Sequence, residues 1–262
     1  MRDQSWITDD MSILRQDFDP DMVHSLMVEN RIGGCVAVQA DQTENETMYL
    51  LDLAEKHEII KGVVGWIDLR ASNIGERLEY FSSFEVLKGF RHIVQAEKDD
   101  AFLLGKDFCH GISLLKKYDF TYDILIYPKH MPYALTFVDR FPEQKFVIDH
   151  IAKPDISGKK IKAWKEALAP FGPHRNVYCK IAGLSTEADW RNWQVSDFSA
   201  YLQVVLEVFG LDRVMFGSDW PVCLPSASYA QVCEIVEQNS TFLNTEEKEK
   251  LWGSNCREFY GL

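Results

Sequence analysis

Short apolar segments rich in β-branched residues recur along the chain, and stretches with helical periodicity separate them. The apolar segments are Gly34–Gln39, Lys61–Ile67, Gly89–Val94, Tyr122–Ile126, Lys145–Asp149, Val177–Ile181 and Arg213–Phe216. Most of their positions are apolar on both faces of a strand, which is typical of strands covered on both sides. The pattern therefore predicts a parallel sheet inside a layer of helices.

The stretches between these segments are amphipathic. The predicted helices are Pro20–Glu29, Thr47–Glu58, Met131–Phe141, Ile161–Phe171 and Phe198–Phe209. In the last of them, Leu202, Leu206 and Phe209 share one face at helical spacing. Near the C-terminus, Asn244 followed by Glu247 has the pattern of a helix N-cap with a capping-box acid, which predicts a final helix.

Strands and helices alternate without a linker rich in Pro, Gly or Ser, which predicts one α/β domain over residues 1–262. The length suits a (β/α)₈ barrel. Seven strands are found where a closed barrel has eight, because Ser5–Met11 has the pattern of a loop leading into the first helix. We therefore expect a TIM-type barrel with the first strand missing from this chain, and a gap between Arg213–Phe216 and Gly34–Gln39.

Charge and composition narrow the classes of partner. The net charge of −12 argues against nucleic acid or an anionic membrane, because both require a basic surface. The six cysteines are scattered without a Cys-x-x-Cys pair, which favours reduced thiols in a cytoplasmic protein. Met1–Trp6 is polar, so no signal peptide is expected, and no apolar run is long enough to span a bilayer.

Polar residues stand where the predicted strands end, and these ends meet at one mouth of a parallel barrel. The residues are Gln39, Asp68, Arg91, His92, Tyr127, His150, Lys153, Lys180 and Asp219. A histidine, a carboxylate, cations and a phenol together suit hydrolysis of a carbonyl substrate that carries oxygens or negative charge. We expect Asp219, His150 and Arg91 to face one cavity at this mouth.

Several of these residues also have a structural interpretation. Asp219 follows a strand that Gly217 breaks, so it either faces the cavity or caps the next turn. His150 is either functional or a structural hydrogen-bonding residue. Lys180 lies within an apolar strand, where a lysine is unusual unless it reaches a cavity or a partner.

Arg91 and His92 are adjacent, so only one of them can face the interior of a barrel, and we favour Arg91. Tyr127 is either a substrate contact or a packed aromatic residue. The chain has no Walker A loop, no Gly-x-Gly-x-x-Gly after a strand, no Gly-x-Ser-x-Gly elbow and no His-Glu-x-x-His motif. The most common competing catalytic motifs are therefore absent from the sequence.

Five segments of the chain resemble the amidohydrolase-related sugar lactonases, which include L-fuconolactonase, L-rhamnonolactonase and 2-pyrone-4,6-dicarboxylate lactonase. The segments are Gly89–Gln95, Val147–Pro154, Val177–Leu184, Val214–Val222 and Trp252–Tyr260. They occur in the family's order across nearly the whole chain. The resemblance implies a (β/α)₈ barrel that opens a sugar-acid lactone, with water as the nucleophile.

The resemblance also implies roles for single residues. Asp219 on the last strand is the general base for the water, and His150 polarises the carbonyl or positions the water. Arg91, Tyr127 and Lys180 bind the oxygens of the substrate, and the two cations keep Asp219 ionised. His150 and Asp219 are in addition the candidate ligands of one divalent metal, Zn²⁺, although the residues alone do not demand a cofactor.

One departure from the family concerns the N-terminal segment. Family members carry a strand with a His-x-His pair upstream of a Trp-Ile-x-x-Asp-Met segment, and here Trp6–Met11 is present without that strand. We expect either a start codon assigned too late or a truncated form, which would leave fewer than the three protein ligands usual for zinc. The sequence is compatible with a homo-oligomer. The alternative functions are a related decarboxylase or carbon–carbon hydrolase, and an inactive barrel that binds a small acid or a partner.

Overall fold

A computed structural model describes residues 6–262 of the chain. Seven parallel strands form one sheet in sequence order. They are β1 (Cys35–Val38), β2 (Ile60–Gly65), β3 (Leu87–His92), β4 (Thr121–Ile124), β5 (Phe146–Ile148), β6 (Val177–Ile181) and β7 (Val214–Phe216). Each apolar segment predicted as a strand overlaps one of them, so the α/β class and the parallel sheet are confirmed.

Helices follow the strands along the chain. The α-helices in residues 6–262 are α1 (Pro20–Glu29), α2 (Glu44–Lys56), α3 (Ile74–Phe81), α4 (Lys106–Leu115), α5 (Met131–Arg140), α6 (Ile161–Leu168), α7 (Ser196–Phe209), α8 (Tyr229–Gln238), α9 (Thr245–Glu249) and α10 (Asn255–Tyr260). A π-helical turn, Lys250–Ser254, joins α9 to α10. Short 3₁₀ helices lie at Asp9–Leu14, Val94–Ala96, Phe102–Leu104, Lys116–Tyr118, Pro128–His130, Asp149–Ala152, Ala169–Phe171, Ser185–Glu187 and Leu211–Arg213. The predicted capping box of Asn244 and Glu247 is present at the start of α9.

The sheet curls into a half-barrel, as its inner face shows. Val64 of β2, Val147 of β5 and Met215 of β7 belong to one buried cluster with Phe259 and Tyr260 of α10. These three strands are not neighbours in the sheet. Their side chains can meet only because the sheet bends round a common interior. On the outer face, the helices pack against a second, larger apolar core.

Helix α10 and the residues after it close the amino-terminal end of this interior. Lys88 Nζ, at the start of β3, donates to the carbonyl oxygen of Gly261 at 3.0 Å. A Cβ atom at Gly62 of β2 would lie 2.9 Å from Leu262 Cδ2, so the glycine allows a close approach. With this end filled, the opposite end, where the strands finish, is left for a site.

Strands β1 and β7 are the two ends of the sheet in the part of the chain that is described. All four residues of β1 are only half-buried. Met27 of α1 and Tyr229 of α8 form a cluster against which both Cys35 of β1 and Phe216 of β7 pack. Side chains therefore occupy the predicted gap, and the expectation that an eighth strand is missing stays a prediction.

The sequence also predicted the state of the cysteines, the absence of a membrane span and the character of the N-terminal residues. All six cysteines are free thiols, as their scatter predicted. Within residues 6–262, no helix has both the length and the apolar character that crossing a bilayer requires. The interpretation of the polar start of the chain falls largely on Met1–Ser5, which lie outside the described residues.

Candidate active site

Four charged side chains form a buried cluster inside the half-barrel. Arg91 lies on β3, Asp123 on β4, Asp149 directly after β5 and Lys180 on β6. These strands are neighbours in the sheet, and Arg91 and Asp123 stand opposite each other in its register. We call these four residues the ion cluster.

The alternation of side chains along a strand explains why the ion cluster faces inwards. Val147 of β5 and Tyr178 of β6 contact the inner apolar cluster. Two residues further on, the side chains of Asp149 and Lys180 point to the same face. The ion cluster therefore lies one layer above the apolar floor, towards the carboxyl ends of the strands.

The charges of the ion cluster are paired with one another. Lys180 Nζ lies 2.8 Å from Asp149 Oδ1 and also donates to Asp123 Oδ2. Arg91 Nη1 donates to Asp149 Oδ2 at 2.9 Å. Both carboxylates are fully buried, so two cations neutralise two anions away from water.

Two further residues complete the hydrogen bonds of the ion cluster. The Tyr260 hydroxyl lies 3.0 Å and 2.9 Å from the two carboxylate oxygens of Asp123, to which it donates. Gln39 Nε2 donates to the backbone oxygen of Arg91 at 3.0 Å, and Arg91 Nη2 donates back to the carbonyl oxygen of Gln39. The network thus joins β1 and α10 to the central strands.

The pKa values of the ion cluster follow from burial and from this pairing. Burial raises the pKa of Asp123 to about 6, although Lys180 opposes the shift. Burial alone would also raise the pKa of Asp149, but Lys180 and Arg91 outweigh it and hold that pKa well below its usual range. Burial lowers the pKa of Lys180, yet the two carboxylates raise it overall. At neutral pH the cluster is therefore charged and balanced.

His150 and Asp219 form a second pair at the same end of the sheet. His150 Nε2 lies 3.8 Å from Asp219 Oδ1, and their side chains are 10% and 13% exposed. Burial lowers the pKa of His150, against the opposite effects of Asp219 and Asp149. The imidazole is therefore neutral near pH 7.

An unusual backbone conformation places His150. The residues from His150 to Lys153 have φ angles of 52°, 48°, 57° and 49°, and none of them is glycine. A left-handed conformation costs about 1–2 kcal/mol for each such residue. Trp164 Nε1 of α6 donates to the backbone oxygen of Ile151 at 2.8 Å and helps to hold this left-handed turn. Strain of this kind clusters at functional sites.

Gly183 forms the wall behind the imidazole. A Cβ atom at this position would lie 2.8 Å from His150 Nδ1, and the φ angle of Gly183 is +60°. His150 Nδ1 is buried and has no hydrogen-bond partner in residues 6–262. Nε2 is the ring nitrogen that faces Asp219.

A third pair lies beside the second. Lys153 Nζ, at the end of the left-handed turn, lies 3.2 Å from Glu187 Oε1 and 5.8 Å from the centre of the Tyr127 ring. Burial raises the pKa of Glu187, Lys153 lowers it, and Asp219 raises it further. Asp219 is thus close enough to influence Glu187 electrostatically.

The structure separates the adjacent candidates Arg91 and His92, as alternation predicts. Arg91 points into the half-barrel, next to Asp149. His92 points the other way, where it accepts a hydrogen bond from Trp66 Nε1 at 3.1 Å and stacks on Phe102. The candidate Arg91 therefore lies at the site, and His92 belongs to the outer core.

The remaining candidates differ in position. Tyr127 is partly exposed beside Lys153, and Gln39 is buried against Arg91. Asp68 instead pairs with Arg70 at 3.0 Å. The two cations that were expected to keep Asp219 ionised have their ion pairs with Asp149 and Asp123 instead.

The sequence pattern did not indicate that Asp123, Asp149, Glu187 or Tyr260 are site residues. The sequence did contain a signal for the two aspartates, because a lysine inside an apolar strand, such as Lys180, requires a buried carboxylate nearby. Asp123 lies within such a strand and Asp149 ends one. Glu187 and Tyr260 have no comparable signal, since one lies in a loop region and the other has the pattern of a core aromatic.

The predicted metal site has two of its donors in place. His150 and Asp219 lie close together, as the metal prediction required. Within the described range 6–262, however, no three His, Cys, Asp or Glu side chains are grouped so that they could hold a metal ion. Zinc sites usually have at least three protein ligands, so these residues alone do not fit one.

The chain is similar to known proteins over nearly its whole length. The profile of the amidohydrolase family matches residues 4–262. L-fucono-1,5-lactonase from Burkholderia multivorans is 38% identical over 271 aligned residues, which cover 99% of this chain and 91% of that enzyme. L-fucono-1,5-lactonase from Burkholderia ambifaria is 30% identical and aligns with 100% of this chain and 91% of its own.

A solved structure gives the same result. The crystal structure of an amidohydrolase from Burkholderia multivorans with bound zinc matches with a TM-score of 0.94 at 38% identity. The match covers 98% of this chain and 93% of that chain. The family resemblance found in the sequence is therefore confirmed, and the chain belongs to the amidohydrolase family.

Proposed function

We propose that this protein hydrolyses the lactone of a sugar acid, with Asp219 as the general base for the attacking water. The contact between His150 Nε2 and Asp219 Oδ1 at the open end of the half-barrel carries this proposal. It supplies a partly exposed base beside a neutral imidazole. The relatives at 38% and 30% identity, both L-fucono-1,5-lactonases, support the choice of a sugar lactone.

The proposed reaction uses the Asp219 carboxylate twice. It first takes a proton from water while the water oxygen bonds to the lactone carbonyl carbon. The tetrahedral intermediate then breaks its bond to the ring oxygen, which receives the proton from Asp219. The product is the open-chain hydroxy acid, and Asp219 is ionised again. The His150 ring lies beside the carboxylate and limits the positions that it can take.

The ion cluster has a supporting role in this proposal. A lysine ammonium has three donors, and Asp123 and Asp149 take two of those on Lys180. The third donor, together with Arg91, is available to bind an oxygen of the substrate. Because both cations are paired with buried carboxylates, these donors are held in fixed positions before the substrate arrives, as stabilisation of a developing oxyanion requires.

The related amidohydrolase with bound zinc raises the question of a metal in this chain. The donors His150 and Asp219 do not make a zinc site without a third ligand, and the residues from 6 to 262 offer none in position. No step of the proposed reaction passes through a metal.

A panel of aldono-1,4- and aldono-1,5-lactones, including L-fucono-1,5-lactone, tests the proposal. Acid release by the purified chain is followed with a pH indicator, and the spontaneous rate is subtracted. We expect saturable hydrolysis of at least one sugar lactone. If a folded sample releases acid no faster than buffer with every lactone, the proposal is wrong. Binding of the open-chain acids by that inactive sample would then favour the inactive barrel.

A further inference from the structure

The pair of Lys153 and Glu187 is the feature that the proposed reaction leaves without a role. Their side chains are 15% and 20% exposed, so both reach the open end of the half-barrel. The ion cluster lies deeper, and its carboxylates are fully buried. The pair is therefore a separate charged group in the wall of the mouth.

The backbone connects this pair to the proposed catalytic residues. Lys153 follows His150 in the same left-handed turn, and its amide donates to the His150 carbonyl oxygen at 2.8 Å. Glu187 lies in the 3₁₀ helix after β6, close enough to Asp219 for the two carboxylates to interact. The pair therefore borders His150 on one side and Asp219 on the other.

Stability does not explain this arrangement. An ion pair whose side chains are mostly buried contributes little net stability, because the cost of desolvating the charges offsets their attraction. The left-handed turn that carries Lys153 costs about 1–2 kcal/mol for each of its residues. Because the cost exceeds the gain from the pair, an interaction with something other than the protein is the better explanation of the geometry.

The chemistry of the pair suits neighbouring hydroxyl groups. Lys153 offers ammonium donors, and Glu187 offers carboxylate acceptors 3.2 Å away. The Tyr127 ring lies next to the ammonium, with Lys153 Nζ 5.8 Å from the ring centre. Two adjacent hydroxyls of a sugar ring present an acceptor oxygen and a donor proton at a similar spacing.

We infer that Lys153 and Glu187 are the specificity-determining residues, which bind two adjacent ring hydroxyls of the lactone. This inference rests on the proposed function. Lys153 donates to one hydroxyl oxygen, and Glu187 accepts from the other. A lactone ring without hydroxyls would leave the donors and acceptors of this partly buried pair without a ligand. A site built to bind hydroxyl groups therefore discriminates against a substrate that lacks them.

The test compares a sugar lactone with δ-valerolactone, which has a six-membered lactone ring and no hydroxyls. The variants are Lys153→Met and Glu187→Gln. We expect each to lower kcat/KM for the sugar lactone by about 10²-fold or more, mainly through KM. Their kcat/KM for δ-valerolactone should stay within about threefold of the wild-type value. The ratio of kcat/KM for the sugar lactone to kcat/KM for δ-valerolactone should therefore fall by a similar factor.

A matched control is available on the surface. Lys165 of α6 and Glu207 of α7 form an ion pair at 3.0 Å with about half of each side chain exposed. Lys165→Met should leave the kinetics of both substrates unchanged. Thermal unfolding identifies any variant that does not fold. If Lys153→Met fails this check, the isosteric Glu187→Gln decides.

The outcomes separate this inference from the proposed function. If the wild type hydrolyses no lactone, the proposed function fails. If the wild type is active but both variants keep its preference, the inference alone is wrong. An equal loss on both substrates also overturns it, because the pair would then act through His150 and Asp219. Calorimetric binding of the aldonic acid and of 5-hydroxypentanoate repeats the comparison without turnover.

Discussion

His150 Nε2 and Asp219 Oδ1 lie 3.8 Å apart, and both residues have left-handed backbones, with φ angles of 52° and 54°. His150 follows β5, and Asp219 follows β7. Strand β6 lies between them in the sheet, so the two side chains reach across its carboxyl end. The contact therefore depends on the shape of two loops as well as on the sheet that carries them.

Replacement of Asp219 by asparagine tests the base directly. We expect Asp219→Asn to lower kcat by at least about 10²-fold, the usual effect of losing a general base. KM should change much less, because the amide has the same shape as the carboxylate. Steady-state kinetics on the best lactone measure both values. Asp212→Asn, at an exposed ion pair with Lys250, is the control. Wild-type turnover by Asp219→Asn would remove Asp219 from its proposed role.

Gly183→Ala tests the wall behind His150. The new Cβ would lie 2.8 Å from the imidazole Nδ1, at a φ angle that disfavours alanine. We expect the ring to shift away from Asp219 and kcat to fall by about tenfold or more. The free energy of unfolding should fall by more than about 1 kcal/mol. Gly33→Ala is the control, since nothing lies within 4 Å of its new Cβ. Unchanged kinetics in Gly183→Ala would show that the imidazole position does not matter.

The ion cluster predicts a graded loss of stability. Tyr260→Phe removes a donor from buried Asp123 and should cost about 1–3 kcal/mol. Asp123→Asn leaves Lys180 with one carboxylate fewer and should cost about 3–5 kcal/mol. Urea unfolding gives both values. Tyr80→Phe, at an exposed tyrosine, should change little. A larger loss of stability in Tyr260→Phe than in Asp123→Asn would contradict the proposed importance of the ion pair between Asp123 and Lys180.

The sequence predicted the sheet well because its strands are covered on both faces and apolar throughout. It also separated Arg91 from His92, since alternation along a strand allows only one of them to face inwards. It did not reveal that Asp123 and Asp149 form ion pairs with the cations of the site. This pairing depends on which strands are neighbours and on how far the sheet curls. The sequence placed Lys153 at the mouth, but the left-handed turn from His150 to Lys153 has no glycine to indicate it, so its pairing with Glu187 was not predicted.

The buried histidine His92 predicts a loss of stability in acid. Burial lowers its pKa from 6.5, while Glu97 opposes the shift, and Trp66 donates a hydrogen bond to the nitrogen that would be protonated. As the pH falls below about 6.5, the unfolded chain binds a proton before the folded chain does, so the free energy of unfolding decreases. Above this pH the contribution is fully present. His150, whose pKa burial also lowers, acts in the same direction.

Asp123 acts in the opposite direction at lower pH. Its folded pKa of about 6 exceeds the ordinary value of 3.8, so acid below pH 6 favours the folded state at this residue. The effect of the histidines is therefore clearest just below pH 6.5, before Asp123 begins to bind a proton at about pH 6. Urea unfolding at several pH values should show a slope of up to about 1.4 kcal/mol per pH unit for each histidine. His92→Gln should reduce that slope, and a slope equal to the wild-type value would contradict the assignment.

The hydrogen bond from Tyr260 to Asp123 has a consequence for the timing of biosynthesis. The network begins at Gln39 and is completed by a residue near the end of the 262-residue sequence. While the chain is still being translated, Asp123 is made long before the Tyr260 hydroxyl that donates to it. A nascent half-barrel would therefore bury an incomplete polar network, which is costly. We expect the site to become competent only after translation has passed Tyr260, so that partly made chains remain inactive.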